Sequence, residues 1–375
     1  MLRIFVTGDN HIGLKYARHE QAAVLVSARI DAFEGMVHTA NQEKCELFVI
    51  TGDLFENTGG ISKKDIKSLL DKLCRFSGTV VVLPGNHDYY DREVKVWQYF
   101  KDVMSGYDNI MLLTDYRPYE LTVNDETVIL YPALCTSRHS AAGQNNLGWI
   151  KETEISDKSA YHIGIAHGAV EGESLDNEQQ YFLMKRSELE SIPVDVWLIG
   201  HTHVPFPRNL TEEFAPCEKI LNAGTHVQTD VSCNTEGLCF LVEISGDKKL
   251  RAKKVVSGNL RFFRKHITLS AEYMEETLQR ELTGLQDNSV VELVLSGAVS
   301  IEEYESRHRI LDYALSRFLE GTYNDYALSK LISKELIDGE FPETSFSASL
   351  LTALLDNPKE AQLAYELLKT MQGGK

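Results

Sequence analysis

The hydrophobic positions of the first 205 residues form six short runs that predict buried β-strands. Each run is rich in Val, Ile, Leu and Phe, and each is short enough for a strand that is covered on both faces. Two of the intervening segments, 19–42 and 61–76, repeat apolar residues at helical spacing instead. This alternation predicts an α/β sheet with helices on its faces. The six runs are LRIFVTGD, ELFVITGD, TVVVLPGNHD, TVILYPAL, AYHIGIAHG and VDVWLIGHTH.

The pattern changes near residue 258, where SGNLRF marks a Gly-containing joint. A helical pattern, the apolar run SVVELVLSG and a second helical pattern follow, and together they predict a small α/β unit. From about residue 326 the chain reads as helical to its end. We therefore expect three domains, which cover residues 1–257, 258–325 and 326–375.

The composition of the chain argues against a membrane-spanning protein and favours a cytoplasmic one. No apolar run approaches the roughly 20 residues that a membrane span requires, and the first residues read as a strand and not as a signal peptide. The six cysteines are scattered without Cys-x-x-Cys spacing, which is typical of reduced thiols in a cytoplasmic protein. We expect a cytoplasmic protein with no membrane partner.

The net charge of −17 opposes contact with nucleic acid, but the charge is uneven along the chain. Residues 248–266, the basic strip, hold eight Lys or Arg and no acid. The strip is either a solvated edge strand whose lysines block aggregation or a surface that faces phosphates. The candidate DNA-binding residues are Lys248, Lys249, Arg251, Lys253, Lys254, Arg261, Arg264 and Lys265.

Five of the six apolar runs end in side chains that bind metals or move protons. Because sites in open α/β sheets form at the carboxyl ends of the strands, we expect these side chains to converge on one edge. Carboxylates, an amide oxygen and imidazoles suit manganese, iron or zinc. There are too many ligands for one ion, so the set predicts two ions that share one carboxylate and act on a phosphate ester. The residues are Asp9, His11, Asp53, Asn86, His87, His167, His201 and His203.

In this order, the blocks GDNH, TGD, GNHD, AHG and GHTH resemble those of the calcineurin-like metallophosphoesterase superfamily. The resemblance implies a β-sandwich flanked by helices and a site with two divalent ions, manganese most often. It implies that His87 is not a ligand but stabilises the transition state or protonates the leaving oxygen, and that Asp88 orients His87. It assigns one ion to Asp9, His11, Asp53 and His203, and the other to Asp53, Asn86, His167 and His201.

Several segments resemble one branch of this superfamily, the SbcD-like DNA repair exonucleases. GDNHIG is similar to the opening SDWHLG of that group, and residues 29–57 resemble its Arg-rich helix leading into GDLFD. The resemblance implies DNA as substrate, a DNA-capping function for 258–325, and a tail that docks on an SbcC-like ABC ATPase. It also implies a homodimer. The chain departs from the pattern at Asn10, which replaces an aromatic residue, and at LNAGTHV (221–227).

Two other functions fit the same residues. A small-molecule phosphodiesterase or phosphatase would use the same pair of ions, with the extra domain as a lid or an oligomer contact. A non-catalytic scaffold with a vestigial site is the second alternative, and the intact set of ligands argues against it.

Overall fold

In a computed structural model, residues 1–174, 176–258 and 260–373 are described. Asn259 of the predicted joint and the last two residues of the predicted tail therefore lie outside the described residues. The chain divides into two compact units, an amino-terminal unit, Met1–Arg261, and a carboxy-terminal unit, Phe262–Lys375.

The amino-terminal unit alternates strands and helices over its first third and then becomes mostly strand. Its elements in chain order are β1 (Leu2–Thr7), α1 (Ala22–Gln42), β2 (Leu47–Ile50), α2 (Lys63–Leu73), β3 (Thr79–Val82), α3 (Lys95–Met104), β4 (Ile110–Leu112), β5 (Tyr119–Val123), β6 (Glu126–Ala133), α4 (Gly148–Glu152), β7 (Tyr161–His167), α5 (Arg186–Ser191), β8 (Val196–Gly200), β9 (Ala215–Pro216), β10 (Ile220–Asn222), β11 (Leu238–Ile244) and β12 (Leu250–Val256).

Two sheets form this unit. One has the strand order β4-β3-β2-β1-β11-β12-β9, and the other has the order β10-β8-β7-β6-β5. Strands β1 to β4 are parallel neighbours, as are β6, β7 and β8. The carboxyl ends of neighbouring parallel strands therefore lie at a common edge within each sheet, as the sequence predicts.

Alternate residues of β1 show how the layers pack. Ile4 and Val6 join a buried cluster that includes residues of both sheets, such as Val49 and Ile163. Phe5 points the other way and packs in the cluster that also contains residues of α1, α2 and α3. The architecture is a β-sandwich flanked by helices, so the predicted fold class is confirmed.

The carboxy-terminal unit contains three strands and five helices among its described residues. They are β13 (Arg261–Ser270), α6 (Met274–Leu282), β14 (Ser289–Val299), α7 (Ile301–Leu315), β15 (Glu320–Lys330), α8 (Lys334–Glu340), α9 (Phe346–Ala353) and α10 (Pro358–Gly373). The strands form one sheet with the order β13-β14-β15. Ser300 starts α7 because its hydroxyl accepts from the amide of Glu303, whose carboxylate in turn accepts from the amide of Ser300.

Strand β15 differs from the expectation that the chain is helical from about residue 326. The segment EGTYNDYALSK pairs in parallel with β14, and its polar and apolar residues do not repeat at helical spacing. The conformation of β15 depends on its pairing with β14, some 30 residues earlier in the chain. This pairing leaves no signal in the sequence of β15 itself. Among the described residues, no helix is both long and apolar enough to cross a membrane.

Candidate metal centre

The predicted ligands follow the carboxyl ends of five strands. Asp9 and His11 follow β1, Asp53 follows β2, and Asn86 follows β3. His167 is the last residue of β7, whereas His201 and His203 come directly after β8. The two sheets each contribute ligands, and residues almost 200 positions apart in sequence meet at one place.

The backbone at these ligands is unusual. Asp9, His11 and Asp53 have φ angles of 49°, 46° and 49°, and His201 has a φ of 106°. Non-glycine residues rarely adopt positive φ, and the conformation costs about 1–3 kcal/mol at each residue. The surrounding structure must offset this cost, and such strain concentrates at functional sites.

The first subsite comprises Asp9, His11 and His203, whose ligand atoms all lie within 4.8 Å of one another. Nε2 of His11 lies 2.9 Å from Nε2 of His203 and 3.9 Å from Oδ2 of Asp53. Two imidazole nitrogens that point at the same space, beside two carboxylates, can hold one divalent ion.

The second subsite comprises Asp53, His167 and His201, which also form a cluster of ligand atoms within 4.8 Å. Oδ1 of Asn86 completes this set, because it lies 3.0 Å from Nε2 of His167 and 3.0 Å from Nδ1 of His201. Oδ2 of Asp53 is 3.3 Å from Nε2 of His167. Asp53 borders both subsites, which is the position that a bridging carboxylate requires.

Hydrogen bonds fix the orientation of the ligands. Nδ1 of His167 lies 2.9 Å from the carbonyl oxygen of Thr51, so Nδ1 is a donor and Nε2 is the nitrogen directed at the second subsite. Both carboxylate oxygens of Asp9 accept from the backbone amide of His201, at 3.0 and 3.1 Å. These contacts hold the ligands in place without an ion, which suits a preformed metal centre.

Burial and charge shift the acidity of the ligands in the metal-free protein. Burial raises the pKa of Asp9 to about 6. Burial acts to raise the pKa of Asp53 as well, but His167 and His11 hold that pKa well below its usual range. Burial acts to lower the pKa of His167, but the Asp53 carboxylate raises it to about 9. Asp53 and His167 therefore form an ion pair when no ion is bound.

His201 and His203 are neutral in the metal-free protein. Burial lowers the pKa of His201 to about 4 and that of His203 to about 3. Because metal ions bind the neutral imidazole, these two ligands are ready to coordinate at neutral pH. The set of carboxylate, amide and imidazole donors fits two divalent transition-metal ions, and it does not by itself select one metal.

His87 borders the ligands, since it forms a third cluster of ligand-type atoms within 4.8 Å together with His11 and Asp53. Its side chain is 28% exposed, whereas those of His167 and Asp53 are 0% and 2% exposed. Its amide donates to Oδ1 of Asp53 at 2.8 Å, and its Nδ1 lies 3.0 Å from the carbonyl oxygen of Glu56. The carbonyl can only accept, so Nδ1 donates and Nε2 is the atom left to meet a substrate.

The structure differs from the expectation that Asp88 orients the ring of His87. The two carboxylate oxygens of Asp88 accept from the backbone amides of Gly85, at 2.7 Å, and Phe55, at 2.9 Å. Asp88 thus ties the loop after β3 to the loop after β2 and acts on the backbone that carries His87. Burial, with Asp53 nearby, raises the pKa of Asp88 to about 7.

Glu56 is a site residue that the sequence analysis missed. Its Oε2 lies 2.9 Å from Nδ1 of His11, and its Oε1 lies 4.0 Å from Nδ1 of His87. A carboxylate on the far nitrogen of a ligand imidazole directs the near nitrogen at the ion. The sequence did contain a signal, since Glu56 stands three positions after Asp53 in TGDLFE.

The basic strip is largely neutralised. Seven of its eight cations lie within 4 Å of a carboxylate, and Lys265 is the one without an ion pair among the described residues. An ion-paired cation must release its carboxylate before it can bind a phosphate, so this finding favours the solvated-strand interpretation. The pairs are Lys248–Asp195, Lys249–Asp247, Arg251–Glu243, Lys253–Glu43, Lys254–Glu236, Arg261–Glu236 and Arg264–Glu292.

Comparison with known proteins identifies the class that this fold and site define. The profile of the calcineurin-like phosphoesterases matches residues 2–205, more than half of the chain, and the protein belongs to that family. The matched region contains every predicted ligand. The protein is thus a metallophosphoesterase, a metal-dependent hydrolase of phosphate esters, with residues arranged for two divalent ions.

Two solved structures are similar at low identity. One is a crystal structure of a Thermus thermophilus protein, with 12% identity and a TM-score of 0.41, over 67% of this chain and 97% of that chain. The other is a dimetal phosphatase from Danio rerio, with 11% identity and a TM-score of 0.38, over 68% of this chain and 98% of that chain. Both similarities concern the fold alone.

Proposed function

We propose that this protein is a two-metal phosphodiesterase that hydrolyses DNA. The observation that carries the proposal is the convergence of both subsites on the buried Asp53. When bound, two divalent ions supply Lewis-acid chemistry, which polarises the phosphate ester and activates the attacking water. By the resemblance of the sequence blocks, manganese is the metal that we propose.

His87 takes the role of general acid in this proposal. Its Nδ1 donates to Glu56, its ring is partly exposed, and its Nε2 is free to hold the proton that the leaving oxygen receives. The Glu56 carboxylate lies 4.0 Å from the same Nδ1. A general acid contributes about 10²–10⁴-fold to the rate of the step in which it acts.

DNA as the substrate is supported by the sequence resemblance to the SbcD-like nucleases and by the presence of a second unit after the phosphoesterase unit. We propose that residues 258–325 act as a capping segment that guides DNA. Because the basic strip is ion-paired, DNA contacts by its residues require an exchange of carboxylate for phosphate. Binding by the chain alone is then weak and strongly dependent on salt.

The tail offers a surface that a partner can cover. Leu363, Leu367 and Met371 of α10 are 59%, 57% and 79% exposed, and they recur every four residues, which places them on one face of the helix. We propose that this stripe docks on an SbcC-like ABC ATPase, and that the chain forms a homodimer. Leu363→Glu together with Leu367→Glu should abolish co-purification with a candidate ATPase and leave hydrolysis by the isolated chain unchanged.

A small-molecule phosphodiesterase is the second candidate. The net charge of −17 and the ion-paired basic strip favour it, because both oppose binding of a polyanion. The metal centre is the same in both functions, so only the size of the substrate separates them.

The test is digestion of end-labelled linear double-stranded and single-stranded DNA with manganese, with magnesium or with EDTA. Bis-(p-nitrophenyl) phosphate serves as the small ester, and His87→Ala is assayed beside the wild type. Manganese-dependent shortening of DNA that His87→Ala removes supports the nuclease. Hydrolysis of the small ester with DNA left intact, also in the presence of a candidate ATPase, contradicts the nuclease and supports the second candidate.

A further inference from the structure

We infer that Arg29 is a positioning residue for the first metal subsite, where it clamps the turn Asp9–His11 against the loop 225–228. This inference rests on the proposed function, because it assigns a residue to one half of the proposed metal pair. It also gives a role to LNAGTHV, the segment in which the sequence departs from the family pattern.

Arg29 lies on α1 and is 1% exposed. Its guanidinium donates twice to the carbonyl oxygen of Asn10, at 2.7 and 2.9 Å, and reaches the carbonyl of Asp9 at 3.5 Å. It also donates to the carbonyl oxygens of Val227, at 2.9 Å, and Gln228, at 3.3 Å. In the described part of the chain all its acceptors are neutral oxygens, so no carboxylate compensates this buried charge.

Burying a cation without a carboxylate partner costs free energy. Such a cation is therefore expected where its hydrogen bonds stabilise a neighbouring segment. Here the bonded group is the strained turn. Asp9 and His11 both have positive φ, and the carbonyl of the residue between them receives two of the guanidinium bonds. The guanidinium thus offsets the cost of the backbone conformation that presents both ligands.

Thr225 forms the other side of the clamp. Its hydroxyl oxygen lies 2.9 Å from the carbonyl of Asp9 and 3.2 Å from the guanidinium of Arg29. Gly8, just before the turn, forms a parallel bridge with Thr225. The turn is therefore held from α1 by Arg29 and from the loop before β11 by Thr225.

The clamp acts directly on one subsite. The second subsite is built from residues after β2, β3 and β8 and at the end of β7, and His167 is oriented by Thr51 and not by Arg29. Loosening of the turn therefore moves Asp9 and His11 directly, while Asn86 and His167 stay in place; His201, whose amide donates to Asp9, links the turn to the second subsite. The fork geometry matters, because a lysine at this position keeps the charge but carries its three donors on one nitrogen and lacks the planar fork that reaches Asn10 on one side and Val227 on the other.

The experiment compares Arg29→Met and Arg29→Lys with the wild-type full chain. Arg75→Met is the matched control, because Arg75 is an exposed arginine that pairs with Glu34 at the surface. Manganese binding is measured by calorimetry and by metal analysis, and electron paramagnetic resonance distinguishes a coupled manganese pair from a single ion. Circular dichroism of the metal-free proteins reports whether each variant is folded.

We expect wild type and Arg75→Met to bind two ions, and both Arg29 variants to keep one tight ion and to lose affinity for the other by about 10–100-fold. The coupled signal of the pair should then give way to that of a single ion. Folded Arg29 variants that bind both ions with wild-type affinity, or that lose both ions equally, overturn the inference. A wild-type chain that binds no metal pair overturns the proposed function together with it.

If the Arg29 variants do not fold, Thr225→Val tests the positioning of the first subsite in their place. It removes the hydroxyl that contacts both Asp9 and Arg29 at nearly constant volume, and it leaves the buried cation with its carbonyl partners. We expect the same selective loss at the first subsite, smaller than for Arg29→Met. Unchanged affinity for both ions in Thr225→Val overturns the inference.

Discussion

At the scale of single residues, the site separates side chains that hold ions from a side chain that meets substrate. The ligands Asp53 and His167 are fully buried and paired with each other, whereas His87 is partly exposed and hydrogen-bonded through its far nitrogen. Among histidines that look alike in sequence, the hydrogen bond of Nδ1 to the Glu56 carbonyl leaves Nε2 of His87 to face substrate, whereas exposure alone does not separate His87 from His201 and His203, which are also partly exposed. Two predictions belong to this scale.

The first prediction concerns His87→Ala. The variant should still bind two ions, because His87 is not one of the ligands, but it should lose about 10²–10⁴-fold in turnover of esters with poor leaving groups. The loss should be much smaller for bis-(p-nitrophenyl) phosphate, since p-nitrophenolate leaves without help from an acid. Turnover of alkyl and p-nitrophenyl diesters is compared at saturating manganese. An equal loss on both esters would contradict the role of general acid.

The second prediction concerns pH. The pKa of His167 is raised to about 9, so this ligand carries a proton at pH 7 in the metal-free protein. A binding ion must displace that proton, and affinity should therefore rise as the pH rises towards 9. Calorimetry in buffers with different ionisation enthalpies measures the protons released. Affinity that is flat between pH 6 and pH 9, with no proton release, would refute the Asp53–His167 ion pair.

At the scale of elements, the strands act as rigid mounts, and the turns after them aim the ligands. The apolar runs and their polar ends predict this arrangement because both are local patterns in the sequence. The contacts that stabilise the turns are not local. Arg29 and Val227 are 198 positions apart, and nothing in either segment alone shows that they meet. The same reason explains why β15 was missed, whereas Glu56 stands in the block TGDLFE itself.

Alanine substitutions at two glycines, one in a turn and one on a helix, test how tightly the turns are packed. A Cβ on Gly85 would lie 2.2 Å from Oδ1 of Asp53, whereas a Cβ on Gly35 of α1 would meet nothing within 4 Å. Gly85→Ala should cost about 1–3 kcal/mol in the free energy of unfolding and weaken metal binding. Gly35→Ala should add about 0.5–1 kcal/mol and leave metal binding unchanged. Chemical denaturation and metal titration measure both, and a Gly85→Ala variant with wild-type affinity would contradict the packing.

At the scale of the whole molecule, charge is the property that sequence alone describes least well. The basic strip stands out as eight cations without an acid, yet carboxylates from distant segments such as Glu43 and Glu236 pair with it in the structure. A linear count of charge cannot show which acids fold against which bases. The grouping of the ligand-type side chains, by contrast, could be predicted from sequence, because each of them sits in a short block at a strand end.

The central claim is that the chain is a phosphodiesterase that needs two ions bound around Asp53. The most direct test is a manganese titration of the metal-free full chain, with hydrolysis of bis-(p-nitrophenyl) phosphate followed at each step beside Asp53→Asn. We predict activity that rises until two ions are bound per chain, and an Asp53→Asn variant that loses affinity at both subsites and is inactive. Activity that is complete with one ion, or that persists in EDTA or in Asp53→Asn, would contradict the two-metal account.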